Sequence, residues 1–244
     1  MISPAAGDAL PAAPPGQAST PGGLAAVLFD MDGLLVDSEP LWFETECAIM
    51  ARMGSPWTRA DQEALIGGSL THSVGYMRAA AARPAPPGVV ARWMVEDMAA
   101  RVRERGVPLK PGAAPLLAEV AAAGLPSALV TSAERPVMAA VLAVTGLAFT
   151  VTICGGDVTR NKPDPEPYRR AAGLLGADPR RCVALDDSPS GVASAEGAGC
   201  AVVAVPSVPL AAQPGRVVVE SLAAVSLAAL RKIVADQHPL TGKS

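Results

Sequence analysis

Two carboxylates one residue apart close an apolar run in Val27-Leu28-Phe29-Asp30-Met31-Asp32-Gly33, and a second acidic pair closes another in Val183-Ala184-Leu185-Asp186-Asp187. Acids this close repel each other unless one holds a proton or a cation lies between them. Thr131 and Ser132 end a third run, and Lys162 precedes a proline-opened helix in Asn161-Lys162-Pro163-Asp164-Pro165. Taken singly, each feature has a plain structural explanation. Asp32-Gly33 suits a turn, Thr131 a strand hydroxyl bonded to backbone, Lys162 a solvated surface, and Asp186-Asp187-Ser188-Pro189 a helix cap. Taken together, two acidic pairs, hydroxyls and one lysine are what is needed to hold a divalent cation beside a phosphoryl group.

That chemistry requires elements that bring distant residues to one edge. Apolar β-rich runs recur at 24–30, 126–132, 149–155, 181–187 and 200–206, with helical patterns at 111–123, 134–144, 165–175 and 189–198 between them. Alternating strands and helices predict an α/β fold, a doubly wound, Rossmann-like parallel sheet, and such sheets carry their chemistry at the C-terminal strand ends. Residues 38–107 break the rhythm with helical patterns alone, too long for a crossover and too apolar for a loop, so they are expected to form an inserted helical unit. The α/β core is then 23–37 with 108–235. Hinges are expected near Ser38 and Pro40 and over Gly106 to Gly112. The Pro- and Ala-rich 1–22 and the end 236–244 are expected to be tails.

The 244 residues are half hydrophobic, carry a net charge of -3 and contain only 3% aromatics. Neither a basic face nor a base-stacking platform follows, so nucleic acid is not an expected partner. Cys47, Cys154, Cys182 and Cys200 are isolated and fit reduced core residues of a cytoplasmic protein. The uncharged window 136–156 is long enough to span a bilayer, but Gly146 divides it into a helix-like and a strand-like part, so no membrane partner is expected.

The ordered set resembles the haloacid dehalogenase-like superfamily of phosphohydrolases over roughly 24–206. Asp30-Met31-Asp32-Gly33 is similar to its first motif, Thr131 its second, Lys162 its third and Asp186-Asp187 its fourth; the inserted unit is similar to its small helical cap. The resemblance implies that Asp30 is the nucleophile and Asp32 the proton carrier. Mg²⁺ would bind Asp30, the Asp32 carbonyl and Asp187, with Asp186 acting directly or through water. Thr131, Lys162 and the backbone N–H groups of Met31 and Gly33 would hold phosphoryl oxygens, while Ser132 stays open between phosphate contact and helix cap. The implied function is hydrolysis of small phosphomonoesters, sugar phosphates or similar metabolites, through an aspartyl-phosphate, by a monomer or weak homodimer. A β-phosphoglucomutase-type mutase is disfavoured, since those relatives carry a histidine where this chain has Trp42 and a cap arginine near Thr71. A catalytically idle phosphometabolite-binding protein is the other alternative.

Within the inserted unit the roles are less defined. Glu39 is expected to cap or flank the first helix, with an orientation toward the active site as the alternative. Gly67-Gly68-Ser69-Leu70-Thr71-His72 resembles the cap loop that meets substrate, or else a helix-helix turn capped by Ser69 or Thr71. His72 is read as surface, with substrate contact as the alternative, and Trp42, Trp57 and Trp93 as core of the helical unit.

Overall fold

A computed structural model describes residues 23–210 and 216–237. The expected tail 1–22 and all but the first two residues of 236–244 lie outside the described residues.

Six parallel strands, β1 (Ala26–Phe29), β2 (Ser127–Val130), β3 (Val151–Ile153), β4 (Cys182–Asp186), β5 (Ala201–Ala204) and β6 (Val217–Val218), form one sheet in the order β3-β2-β1-β4-β5-β6. β1 and β4 are neighbours although distant in sequence, so the chain reverses its winding between them, and ligand sites of doubly wound sheets lie at that switch. Side chains alternate across the strands. Val27, Phe29, Leu129, Val183, Leu185 and Val203 face one layer, with helices α5 (Ala113–Ala122), α6 (Arg135–Thr145) and α9 (Leu227–Gln237). Ala26, Leu28, Ala128, Val130, Ala184 and Val202 face the other, with α7 (Glu166–Leu174) and α8 (Pro189–Ala198). Burial on both faces is why these runs are apolar throughout rather than alternating.

Between β1 and α5 lie four helices, α1 (Glu39–Arg52), α2 (Arg59–Glu63), α3 (Leu70–Ala80) and α4 (Pro87–Arg105). Ile49, Met50, Met53, Trp57, Met77 and Met94 give them a hydrophobic cluster of their own. Met98 and Val102 of α4 join the sheet-side cluster instead, so α4 ties this unit to the core. The chain leaves and re-enters the α/β layers through paired backbone. Val36 and Leu109 form an antiparallel bridge, Asp37 N–H donates to the Pro108 carbonyl at 2.9 Å, and Lys110 N–H donates to the Leu35 carbonyl at 2.9 Å.

The window 136–156 divides into α6 and β3, and no helix among the described residues is long and apolar enough to cross a membrane. The four cysteines are free; Cys154, Cys182 and Cys200 are buried and Cys47 is half-buried. Six features among the described residues escaped the sequence reading: the two-residue β6, the five-residue α2, α9, and the short 3-10 turns Gly155–Asp157, Pro179–Arg181 and Leu222–Ala224.

Candidate active site

The C-terminal ends of β1, β2 and β4 deliver Asp30, Thr131 and Asp186-Asp187 to one edge, and the loop before α7 brings Lys162 to them. Lys162 Nζ donates to Asp30 Oδ1 at 2.6 Å and to Asp186 Oδ2 at 2.8 Å, and all three residues are buried. Burial works against the ammonium, but Asp186 and Asp30 outweigh it and hold Lys162 above the ordinary lysine range. Lys162 is therefore part of a buried charge network rather than a solvated surface residue.

Asp186 is held on both oxygens. Besides Lys162, Tyr168 donates its hydroxyl to Oδ2 at 2.5 Å, and Ser188 donates its N–H at 3.0 Å and its hydroxyl at 2.9 Å to Oδ1. Ser188 Oγ also caps α8 by accepting from Gly191 N–H at 3.0 Å, and Pro189 opens the helix without a missing donor. A Cβ on Gly191 would stand 2.0 Å from the Asp186 carboxylate, so glycine is required for the acid to tuck beneath the helix start. Asp187 points the other way, toward β1. Gly33, at φ +78°, allows this, because a Cβ there would lie 2.1 Å from Asp187 Oδ2. Burial, then Asp186, push Asp187 up to about 7, against a hydrogen bond from Ser207.

Carboxylate oxygens of Asp30, Asp186 and Asp187 lie within 4.8 Å of one another. Burial raises Asp30 well above the usual carboxylate range; Lys162 opposes this, and the Asp186 and Asp187 charges add to it. With all three buried acids ionised, one ammonium would leave two negative charges uncompensated, a deficit that fits a divalent cation bound by oxygen donors in place of protons. Both oxygens of Asp186 are already hydrogen-bonded, so Asp30 and Asp187 are the acids with capacity to spare.

Asp32 faces the helical unit. Ser38 donates to its Oδ1 at 2.5 Å, Trp42 Nε1 to the same oxygen at 3.1 Å, and Thr131 Oγ1 to Oδ2 at 3.4 Å. Burial raises the Asp32 pKa, while Ser38 and Trp42 pull it back by stabilising the anion. Trp42 is thus a partner of Asp32 rather than simply core of the helical unit, whereas Trp57 packs inside that unit and Trp93 lies under the Arg52 guanidinium.

A cavity between the helices and the sheet edge is lined by Asp30, Asp32, Thr131, Ser132, Lys162 and Asp187 on the core side. Ser132 Oγ is buried without a hydrogen-bond partner, and α6 starts from Glu134, so Ser132 does not cap the helix. Gly33 does not fill the donor role expected of it, since its N–H is taken by the Val36 carbonyl at 2.9 Å in the turn after β1. Its contribution is space for Asp187. The Met31 side chain is buried in the core.

From the helical unit, Glu39, Glu46, Gln62, Gly67 and Gly68 reach the cavity. Glu39 therefore does more than flank α1. The Gly67 carbonyl accepts from the Ser190 hydroxyl, which docks the loop beside Ser188. Ser69 caps α3 through His72 N–H at 3.3 Å, and Thr71 and His72 are exposed and outside the cavity lining. Sequence reasoning missed Ser38, Tyr168, Ser207, Glu46 and Gln62, because their roles depend on contacts between elements.

Strand order, the converging acids and lysine, and the helical insertion after β1 define a hydrolase with an α/β core and a helical roof. Residues 27–205 match the family described as haloacid dehalogenase-like hydrolase, and the chain belongs to that family. Hexitol phosphatase A of Escherichia coli (strain K12) is 35% identical over 183 residues, 73% of this chain and 81% of the relative. A phosphoglycolate phosphatase of Yersinia pseudotuberculosis is 35% identical over 182 residues, 71% of this chain and 77% of the relative. The crystal structure of CbbY from Rhodobacter sphaeroides in complex with phosphate superimposes with a TM-score of 0.78 at 29% identity, covering 85% of this chain and 99% of that one.

Proposed function

We propose that the chain is a phosphoric monoester hydrolase acting on a small phosphorylated metabolite, with Mg²⁺ as cofactor and an aspartyl-phosphate on Asp30 as intermediate. The observation that carries the reading is the Lys162 ammonium held at 2.6 Å from one oxygen of Asp30, with Asp187 close by and a cavity in front. Phosphatases of hexitol phosphates and of phosphoglycolate among the relatives support the reaction class.

Asp30 attacks phosphorus with its second oxygen; the new Asp30 O–P bond replaces the ester P–O bond. Asp32 gives its proton to the departing alkoxide and then takes one from the water that hydrolyses the phosphoenzyme. Lys162 and the Ser132 and Thr131 hydroxyls face the phosphoryl oxygens, and the Met31 N–H is a further donor. Asp186 positions Lys162 and the start of α8, and would add its charge to the group of acids that holds the metal. Bound Mg²⁺ would be held by Asp30, Asp187 and the Asp32 carbonyl, neutralising their charge and that of the phosphoryl group. The helical unit moves about the Val36–Leu109 pairing to admit substrate and to exclude water during attack.

Trp42, where phosphomutase relatives carry histidine, supports hydrolysis over phosphoryl return to the substrate. The test is phosphate release from p-nitrophenyl phosphate and a panel of phosphorylated metabolites with Mg²⁺ present. Turnover is expected to disappear in EDTA; undiminished turnover after confirmed metal removal contradicts the metal assignment.

A further inference from the structure

Tyr168 touches both partners of an ion pair at the centre of the site without reaching the cavity itself. It lies in the first turn of α7, is fully buried, and packs in the layer of Leu28 and Val130. A buried phenol needs one polar partner, and a backbone carbonyl would serve. Tyr168 instead gives its hydroxyl to Asp186 Oδ2 at 2.5 Å, the oxygen that also accepts from Lys162 Nζ at 2.8 Å. Its ring faces the same ammonium, with Nζ 5.1 Å from the centroid. Burial, then the Asp186 charge, raise the phenol well above its ordinary range, so it stays a donor.

The chain that carries Lys162 to this place is fixed on both sides. Glu166 accepts from the N–H groups of Thr159 at 2.8 Å and Arg160 at 3.0 Å, Asp164 N–H donates to the Asn161 carbonyl at 3.0 Å, and Ser194 of α8 donates to the Asp164 carbonyl at 2.6 Å. Lys162 thus has a set reach and two anionic partners, Asp186 on one side and Asp30 on the other. In the proposed reaction the Asp30 carboxylate loses its charge when its O–P bond forms, and the ammonium turns from that acid to the phosphoryl oxygens. An Asp186 oxygen with Lys162 as its sole donor would hold the ammonium back. A second donor on the same oxygen takes up part of its charge and loosens that hold.

We infer that Tyr168 is a positioning residue for phosphoryl transfer: its hydroxyl shares Asp186 Oδ2 with Lys162 and its ring backs the ammonium, which leaves Lys162 poised to pass from Asp30 to the phosphoryl oxygens. This rests on the phosphatase reading and adds to it a residue outside the cavity lining.

The test uses the full chain with Mg²⁺ in single-turnover experiments with enzyme in saturating excess, so that the rate constant is that of folded, substrate-bound molecules. Tyr168→Phe keeps the ring and its packing, and Asp186 keeps Lys162 and both Ser188 donors, so only the shared hydroxyl is lost. The substrates are p-nitrophenyl phosphate and phenyl phosphate, whose leaving groups differ in their need for a proton. Because Lys162 acts on the phosphoryl group that the two esters share, alcohol release is expected to slow about tenfold for both alike. In an Asp186→Asn background the same substitution is expected to have no further effect, since the shared acceptor charge is already gone. A melt of each variant reads the folded fraction separately. A lower folded fraction at an unchanged rate constant assigns Tyr168 to the fold alone and overturns the inference. Slowing confined to phenyl phosphate overturns it too, by placing the effect at proton delivery. Either result with active wild type leaves the phosphatase reading standing, whereas absence of wild-type hydrolysis of both esters overturns both.

Discussion

Trp42 Nε1 on α1 lies 3.1 Å from Asp32 Oδ1, so the helical roof donates a hydrogen bond to the carboxyl assigned to proton transfer. Opening of the roof would break this bond and change the acidity of Asp32, which couples closure to chemistry. In Trp42→Phe the anion of Asp32 loses one donor and its pKa rises further. Hydrolysis of alkyl phosphates is expected to slow about tenfold, with the basic limb of the pH profile moved upward. Esters with good leaving groups are expected to suffer less. Pre-steady-state formation of phosphoenzyme across pH checks both statements; an unchanged profile contradicts them.

Gly33→Ala tests the approach of Asp187 to the turn after β1. The added Cβ would meet Asp187 Oδ2 at 2.1 Å, and the backbone at φ +78° disfavours any side chain. The strain costs about 1–2 kcal/mol of stability. Displacement of Asp187 is expected to weaken Mg²⁺ binding at least about tenfold. Calorimetric titration of the folded variant with Mg²⁺ reads this, and wild-type affinity contradicts it.

Glu46 gives a pH signature separate from catalysis. Burial pushes it up to about 7 from an ordinary value of 4.5, against the Trp57 hydrogen bond. The folded state therefore binds more protons than the unfolded chain between these values, so this contribution is complete below about 4.5 and is lost as pH rises through 7. Glu46→Gln, which mimics the protonated acid, is expected to match wild type at pH 5 and exceed it at pH 8 by on the order of 1 kcal/mol. Urea denaturation at the two pH values measures the difference, and destabilisation at pH 8 contradicts it.

Much of this arrangement was legible because buried parallel strands are uninterrupted apolar runs, and five of six were found that way. Helix α8 was bounded correctly because Pro189 and Gly199 punctuate it; Gly199 takes φ +92° at the helix end. Strand β6 escaped because two valines make no period. Asp30, Asp186 and Asp187 were visible because acids at the ends of apolar runs are anomalous. Trp42 and Tyr168 were not, because periodicity tells which face of a helix is buried but not which polar atom on another element its side chain meets. Gly33 was legible as a turn, while its closeness to Asp187 depends on β1 and β4 being neighbours.

Metal binding is expected to stabilise the fold in a pH-dependent way. Asp187 is raised to about 7 by burial and by Asp186, and Asp30 is raised as well, so metal-free protein holds protons that Mg²⁺ displaces. Saturating Mg²⁺ should therefore raise Tm more at pH 8 than at pH 5. Equal increments at both pH values, or none, contradict the carboxylate site.

Asp30 as the nucleophile is the central claim, and trapping the phosphoenzyme tests it most directly. Enzyme mixed with a rapidly turned-over phosphate ester and Mg²⁺, quenched in acid within one turnover and digested, should yield a phosphorylated peptide whose modification maps to Asp30, and Asp30→Asn should yield none. Phosphate carried on another residue, or full single-turnover hydrolysis by Asp30→Asn, would contradict the account.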